Sequence, residues 1–126
     1  MAYRVSKAEF GKLVERALEE LPAQFAEYLE EIAIEIQDRP SARQLKTLGL
    51  RENDLLLGLY HGRPRTQRSV EDAAFLPDVI YIFQDHVERV SHSEEQLINE
   101  VRTTVLHEIG HHFGMSEEDL DELGYG

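Results

Sequence analysis

The chain has 126 residues, 41 % of them hydrophobic and 30 % charged, which is enough for one modest core and too apolar for a disordered chain. Asp and Glu number 25 against 13 Lys and Arg; the formal net charge of −12 repels phosphate backbones, argues against a nucleic-acid partner and favours cations. There is no cysteine, which excludes disulfides, thiolate zinc sites and cysteine nucleophiles.

No run approaches the roughly 20 apolar residues that span a bilayer. The amphipathic start "MAYRVSKAEFGKLVERALEEL" has neither the apolar stretch nor the small-residue cleavage site of a signal peptide. A cytoplasmic protein without a membrane partner is expected. Ser6 with Glu9 three residues on reads as a capping box, and Phe10, Leu13, Val14, Ala17, Leu18 and Leu21 then recur at helical spacing. Pro22 suits the first turn of a second helix, "PAQFAEYLEEI", in which Phe25, Leu29 and Ile32 share a face. The alternating, β-branched "IAIEIQ" predicts a strand from Ile32 to Gln37, ended by "DRPS".

"SARQLKTLGL" predicts a short helix stopped at Gly49, and "DLLLGLYHG" a strand ending at Gly62, followed by the polar, basic loop "RPRTQRS". "PDVIYIFQDHV" predicts a third strand with Pro77 outside it or at its beginning, where the missing N–H does least harm. The longest helix is expected from about Ser93 to Phe113. With no internal repeat, low-complexity segment or linker, the expected architecture is one α+β domain over residues 1–126, a small mixed sheet packed with helices.

Within the last helix His107, Glu108 and His111 meet the pattern H-E-x-x-H. Residues i and i+4 lie on one helix face, so both imidazoles can reach one ion, and the glutamate beside them can take a proton from a metal-bound water. The pentapeptide alone has a chance expectation of roughly 0.04 in a chain of this composition, so its placement matters. At about 100° per residue from His107, the residues Ile98, Val101, Val105 and Ile109 fall between about 120° and 200°, one apolar stripe. His111 lies about 40° away, opposite that stripe, while His112 falls near 140°, with the apolar side. Past the helix Gly114 can adopt the left-handed conformation that turns the chain, and Glu117 follows three residues later. The full pattern is H-E-x-x-H-x-x-G-x-x-E. Two neutral histidines, one carboxylate and an open position for water form a known type of catalytic zinc shell.

The segment "HEIGHHFGMSEEDLDELGYG" resembles the zincin metallopeptidases, with the glycine-turn extension of metzincins but an acidic residue in place of their third histidine. With "LPAQFAEYLEEIAIEIQDRP", "LLLGLYHGRP" and "PDVIYIFQDHV", the chain is similar over most of its length to the small bacterial zincin-like proteins called minimal metallopeptidase-like domains. The resemblance implies a zincin-like α+β fold, zinc held by His107, His111 and Glu117, and Glu108 as general base. Members with Asp at the third position point to Glu117 rather than Glu118 or Asp119. The methionine turn of metzincins has no counterpart in the nine residues after Glu117, and a protein without the C-terminal subdomain of larger zincins is expected.

The expected chemistry is hydrolysis of a peptide bond, with zinc polarising carbonyl and water and Glu108 accepting the proton; the substrate is a peptide or a flexible protein segment. Nearby Glu118, Asp119 and Asp121 make the site less electropositive than a three-histidine shell. An extended substrate could pair with an edge strand, for which Val79 to Phe83 is a candidate alongside its reading as a core strand. His112 reads as a packed histidine rather than a ligand, and His61, His86 and His92 as solvated loop residues. Tyr125 is either a hydrogen-bond donor folded over the metal or an ordinary tail residue. The alternative function is a zinc-binding module that takes part in interactions without cleaving; retention of Glu108 favours the peptidase, the short C-terminus the module. Composition assigns no oligomeric state.

Overall fold

The first helix begins where a side chain satisfies its exposed N–H groups: the Ser6 hydroxyl accepts from the Glu9 N–H at 3.1 Å and opens α1, Lys7–Glu19. The computed structural model describes residues 1–62, 78–114, 116, 118 and 122. The loop "RPRTQRS", Glu117, Asp119, Asp121 and Tyr125 therefore lie outside the described residues. The expected second helix is split into a 3-10 turn, Ala23–Phe25, and a short helix α2, Ala26–Glu30, with Pro22 just ahead of the turn. Strand β1 occupies Ile32–Gln37 as its alternation predicted. Helix α3, Ala42–Thr47, is headed by a reciprocal capping box between Ser41 and Gln44, and Gly49 follows it at φ +73°, a left-handed conformation that suits glycine.

Strand β2 is Gly58–His61 and strand β3 is Asp78–Phe83. The sheet order is β1-β3-β2, with β1 parallel to β3 and β2 antiparallel to it. Val79–Phe83 is thus the central strand, hydrogen-bonded on both sides, and cannot receive a substrate strand. Among the described residues the edge strands are β1 and β2. The third strand also ends earlier than "QDHV" suggested, and Gln84–Arg89 form helix α4. The reason is non-local: β1 stops at Gln37, the partner of Phe83, so the chain beyond loses its ladder on that side. The Asp85 N–H goes to the Asp38 carbonyl, and an i,i+4 pair between Asp85 and Arg89 at 2.9 Å supports the helix. In that helix His86 is buried, with Nδ1 within 3.1 Å of the Leu56 backbone, rather than a solvated loop residue; His61 and His92 are exposed as expected.

Helix α5, Glu94–His112, is capped by the Ser93 hydroxyl. Its stripe Ile98, Val101, Val105 and Ile109 is buried, together with Leu97 and Leu106. These side chains join Phe10, Leu13, Val14 and Ala17 of α1 against Ile32, Ile80 and Ile82 of the sheet. Each such side chain, once fully withdrawn from water, contributes about 1.5–3 kcal/mol, which fixes the rotation of α5 about its axis and hence the direction of its polar face. Among the described residues no helix is long and apolar enough to cross a membrane.

Candidate metal centre

Burying one stripe of α5 turns His107 and Glu108 to a half-buried position and leaves His111 exposed. The rings of His107 and His111 lie 5.8 Å apart between centroids, tilted by 45°, as one turn of helix dictates. Between them in sequence, Glu108 reaches across to the sheet. Its Oε1 accepts the backbone N–H of Tyr60 at 2.8 Å.

That bond follows from strand register. Phe83 N–H donates to the Leu57 carbonyl, so alternation along the antiparallel pair turns the polar groups of Leu57, Leu59 and His61 toward β3 and those of Gly58 and Tyr60 toward the opposite side of the strand. Glu108 caps this side at Tyr60. A close approach of α5 makes it possible: a Cβ on Gly58 would sit 2.5 Å from Cγ2 of Thr104 and 2.9 Å from the Tyr81 carbonyl oxygen. Thr104 is one turn before Glu108, and Gly58 two residues before Tyr60, so one contact seats the other. The Tyr60 hydroxyl donates to Asp78 Oδ2 at 2.8 Å, and its ring stacks on His112 at 3.9 Å. His112 therefore packs on the strand that Glu108 grips.

Withdrawal from water raises the Glu108 carboxyl above its ordinary 4.5; the Tyr60 N–H and the charges of His111 and His107 pull the other way. A carboxylate shielded from water, held by one backbone donor and close to two imidazoles, is suited to exchange a proton.

Gly114 has φ +81° and turns the chain after α5, as the pattern required. Glu117 lies outside the described residues, and Glu118 is exposed. Among the described residues no group of three His, Asp or Glu is placed to hold an ion; the two imidazoles are the part of the donor set on view. Nitrogen donors one helical turn apart in a chain without thiolates suit zinc. Gly58, Tyr60 and Asp78 were not found from sequence as site residues. The signal available was Gly58 itself, since glycine inside a strand pattern marks close approach of another backbone or side chain.

Among the described residues, a three-stranded mixed sheet packed by a helix that carries H-E-x-x-H beside β2 is the architecture of a zincin-like protein. A family model described as zincin-like metallopeptidase matches residues 29–126, and the chain belongs to that family. Among solved structures it is similar to a conserved hypothetical protein from Thermo thermophilus, with 24 % identity over 93 % of this chain and 98 % of that one and a TM-score of 0.59, a likeness of fold. A comparison with curated proteins finds no match.

Proposed function

We propose that the chain is a zinc-dependent peptidase in which His107, His111 and Glu117 hold the ion and Glu108 serves as general base. The observation that carries this reading is the seating of Glu108: half-buried, raised in pKa, and fixed by the Tyr60 N–H beside two imidazoles. When bound, zinc would supply Lewis-acid polarisation of a carbonyl and a lowered pKa for water. Glu108 takes the proton of the attacking water and returns it to the leaving amine. The Tyr60 N–H restricts the carboxylate to one orientation, leaving its second oxygen for the reaction. The β2 edge that carries no partner strand among the described residues, rather than β3, receives an extended peptide, whose backbone pairs with the outward groups of Gly58.

The test compares zinc-loaded wild type with Glu108→Gln on a diverse peptide mixture read by mass spectrometry. The glutamine keeps an acceptor for Tyr60, so zinc content should be unchanged while cleavage falls by about 10²- to 10⁴-fold. Equal cleavage by both removes Glu108 from the mechanism. Zinc binding without cleavage by either assigns the chain to the zinc-binding interaction module instead. In parallel, His107→Ala and His111→Ala should each abolish the zinc-dependent rise in melting temperature, and persistence of that rise in both would refute the ligand set.

A further inference from the structure

The carboxyl ends of the two parallel strands open on a second cavity, away from the metal centre. The end of α5 lies by the start of β3, where His112 comes within 4.0 Å of a Cβ built on Gly62, which in turn faces Asp78. The second cavity, about 490 Å³, is formed by residues that follow β1 and β3 and by α3. Its volume is in the range of small-molecule sites, roughly 300–1,000 Å³.

Its lining runs against the charge of the chain. In a protein of net charge −12, Arg39, Lys46 and Arg89 converge on this cavity against one carboxylate, Glu52. Just beyond, Asp85 is shared by Arg4 at 2.8 Å, Arg89 at 2.9 Å and Arg39 at 3.6 Å, and Arg4 also meets Glu88 at 3.1 Å, so two carboxylates face three guanidinium groups. Among the described residues Lys46 has no ion-pair partner. Leu45 and Leu50 give the same cavity an apolar wall.

The second observation is His86, 6 % exposed and lining this cavity. Its Nδ1 is tied to Leu56, 3.0 Å from the N–H and 3.1 Å from the carbonyl. Its other ring nitrogen has no hydrogen-bond partner among the described residues. With Nδ1 accepting from the Leu56 N–H, the neutral ring carries its hydrogen on Nε2 and can offer that N–H to an anion.

We propose that this cavity binds a phosphate monoester with a compact apolar body, its phosphate held by Arg39, Lys46, Arg89 and the His86 Nε2–H and its body against Leu45 and Leu50. A dianionic group matches several separate donors better than a carboxylate, which one guanidinium fork already satisfies. The site is independent of the zinc chemistry.

The test titrates the protein with phenyl phosphate, inorganic phosphate and benzoate while recording histidine-ring and backbone NMR resonances. Phenyl phosphate should shift His86 and α3 and bind more tightly than inorganic phosphate, which lacks the body, or benzoate, which lacks the dianion. Lys46→Gln, at an exposed position where folding is safe, should weaken phenyl phosphate by about tenfold. Shifts confined to His107 and His111 would assign the anion to the metal centre and overturn the proposal, as would equal affinity in Lys46→Gln. Benzoate binding as tightly as phenyl phosphate would overturn the phosphate assignment.

Discussion

Two glutamates, Glu88 on α4 and Glu108 on α5, are both withdrawn from water, and the contrast between them separates structure from chemistry. Glu88 is 4 % exposed and accepts from the Val5 N–H at 3.1 Å, Gln84 Nε2 at 3.0 Å and the Arg4 guanidinium at 3.1 Å. Those partners pin the N-terminal segment to α4; the Tyr3 N–H, bonded to the Ser91 carbonyl at 2.8 Å, extends the same seam. Glu108 has one backbone donor and no guanidinium or ammonium partner among the described residues. A buried carboxylate with a full set of donors holds a fold together, whereas one left short of donors keeps a proton within reach.

The largest expected effect on stability is at Glu88. Glu88→Ala leaves the Val5 N–H, Gln84 and Arg4 without their shared acceptor and should destabilise by about 3 kcal/mol, lowering Tm by about 10 °C. Zinc binding per folded molecule should not change. A loss below about 0.5 kcal/mol in urea unfolding would show that water replaces the carboxylate and that the contrast with Glu108 is false.

Gly58 comes next. Gly58→Ala puts a methyl against Thr104 and the Tyr81 carbonyl, and should destabilise by about 2 kcal/mol while lifting α5 from β2. Adding Thr104→Ala should recover part of the loss but not all, because the carbonyl at 2.9 Å remains. Full additivity in this double-mutant cycle would mean the close approach is not what seats Glu108.

At Glu108 the sign is opposite. Because burial raises its pKa, the folded state binds this proton more tightly than the unfolded state does. Its contribution to stability is therefore complete below the ordinary 4.5 and is lost as pH rises through the folded value. Zinc-free Glu108→Gln, which resembles the protonated acid, should match zinc-free wild type at low pH and exceed it at neutral pH. A difference in unfolding free energy that stays flat from pH 4 to 8 would contradict the burial effect.

What sequence made legible was local. The alternation of "IAIEIQ" bounded β1, Gly49 and Gly114 marked the ends of helices, and the apolar stripe of α5 set the face that carries His107 and His111. What it hid depended on distant partners. The end of β3 is decided by where β1 stops, and its central place by strand order, neither of which leaves a trace in "PDVIYIFQDHV". His86 looked solvated because its partner, Leu56, is thirty residues away. The metal motif was readable as three residues at fixed spacing, but the donor that orients its glutamate is a backbone N–H forty-eight residues upstream, a group that every residue except proline possesses.

The smallest effect sharpens the contrast at the edge of β2. Tyr60 serves Glu108 through its backbone, while its side chain anchors the strand: the ring on His112, the hydroxyl on Asp78. Tyr60→Phe keeps the backbone donor and the stacking ring and removes only the hydroxyl. Since the hydrogen bond is part-buried and water can reach Asp78 in its place, the loss should be about 1 kcal/mol or less, a few degrees in Tm. If the hydroxyl only braces the strand, zinc affinity stays within about twofold and the pH dependence of the Glu108→Gln difference is unaltered. A larger shift in that pH dependence would mean that Asp78 and Tyr60 set the position of the Glu108 carboxylate through the strand, and the backbone donor alone would no longer account for its seating.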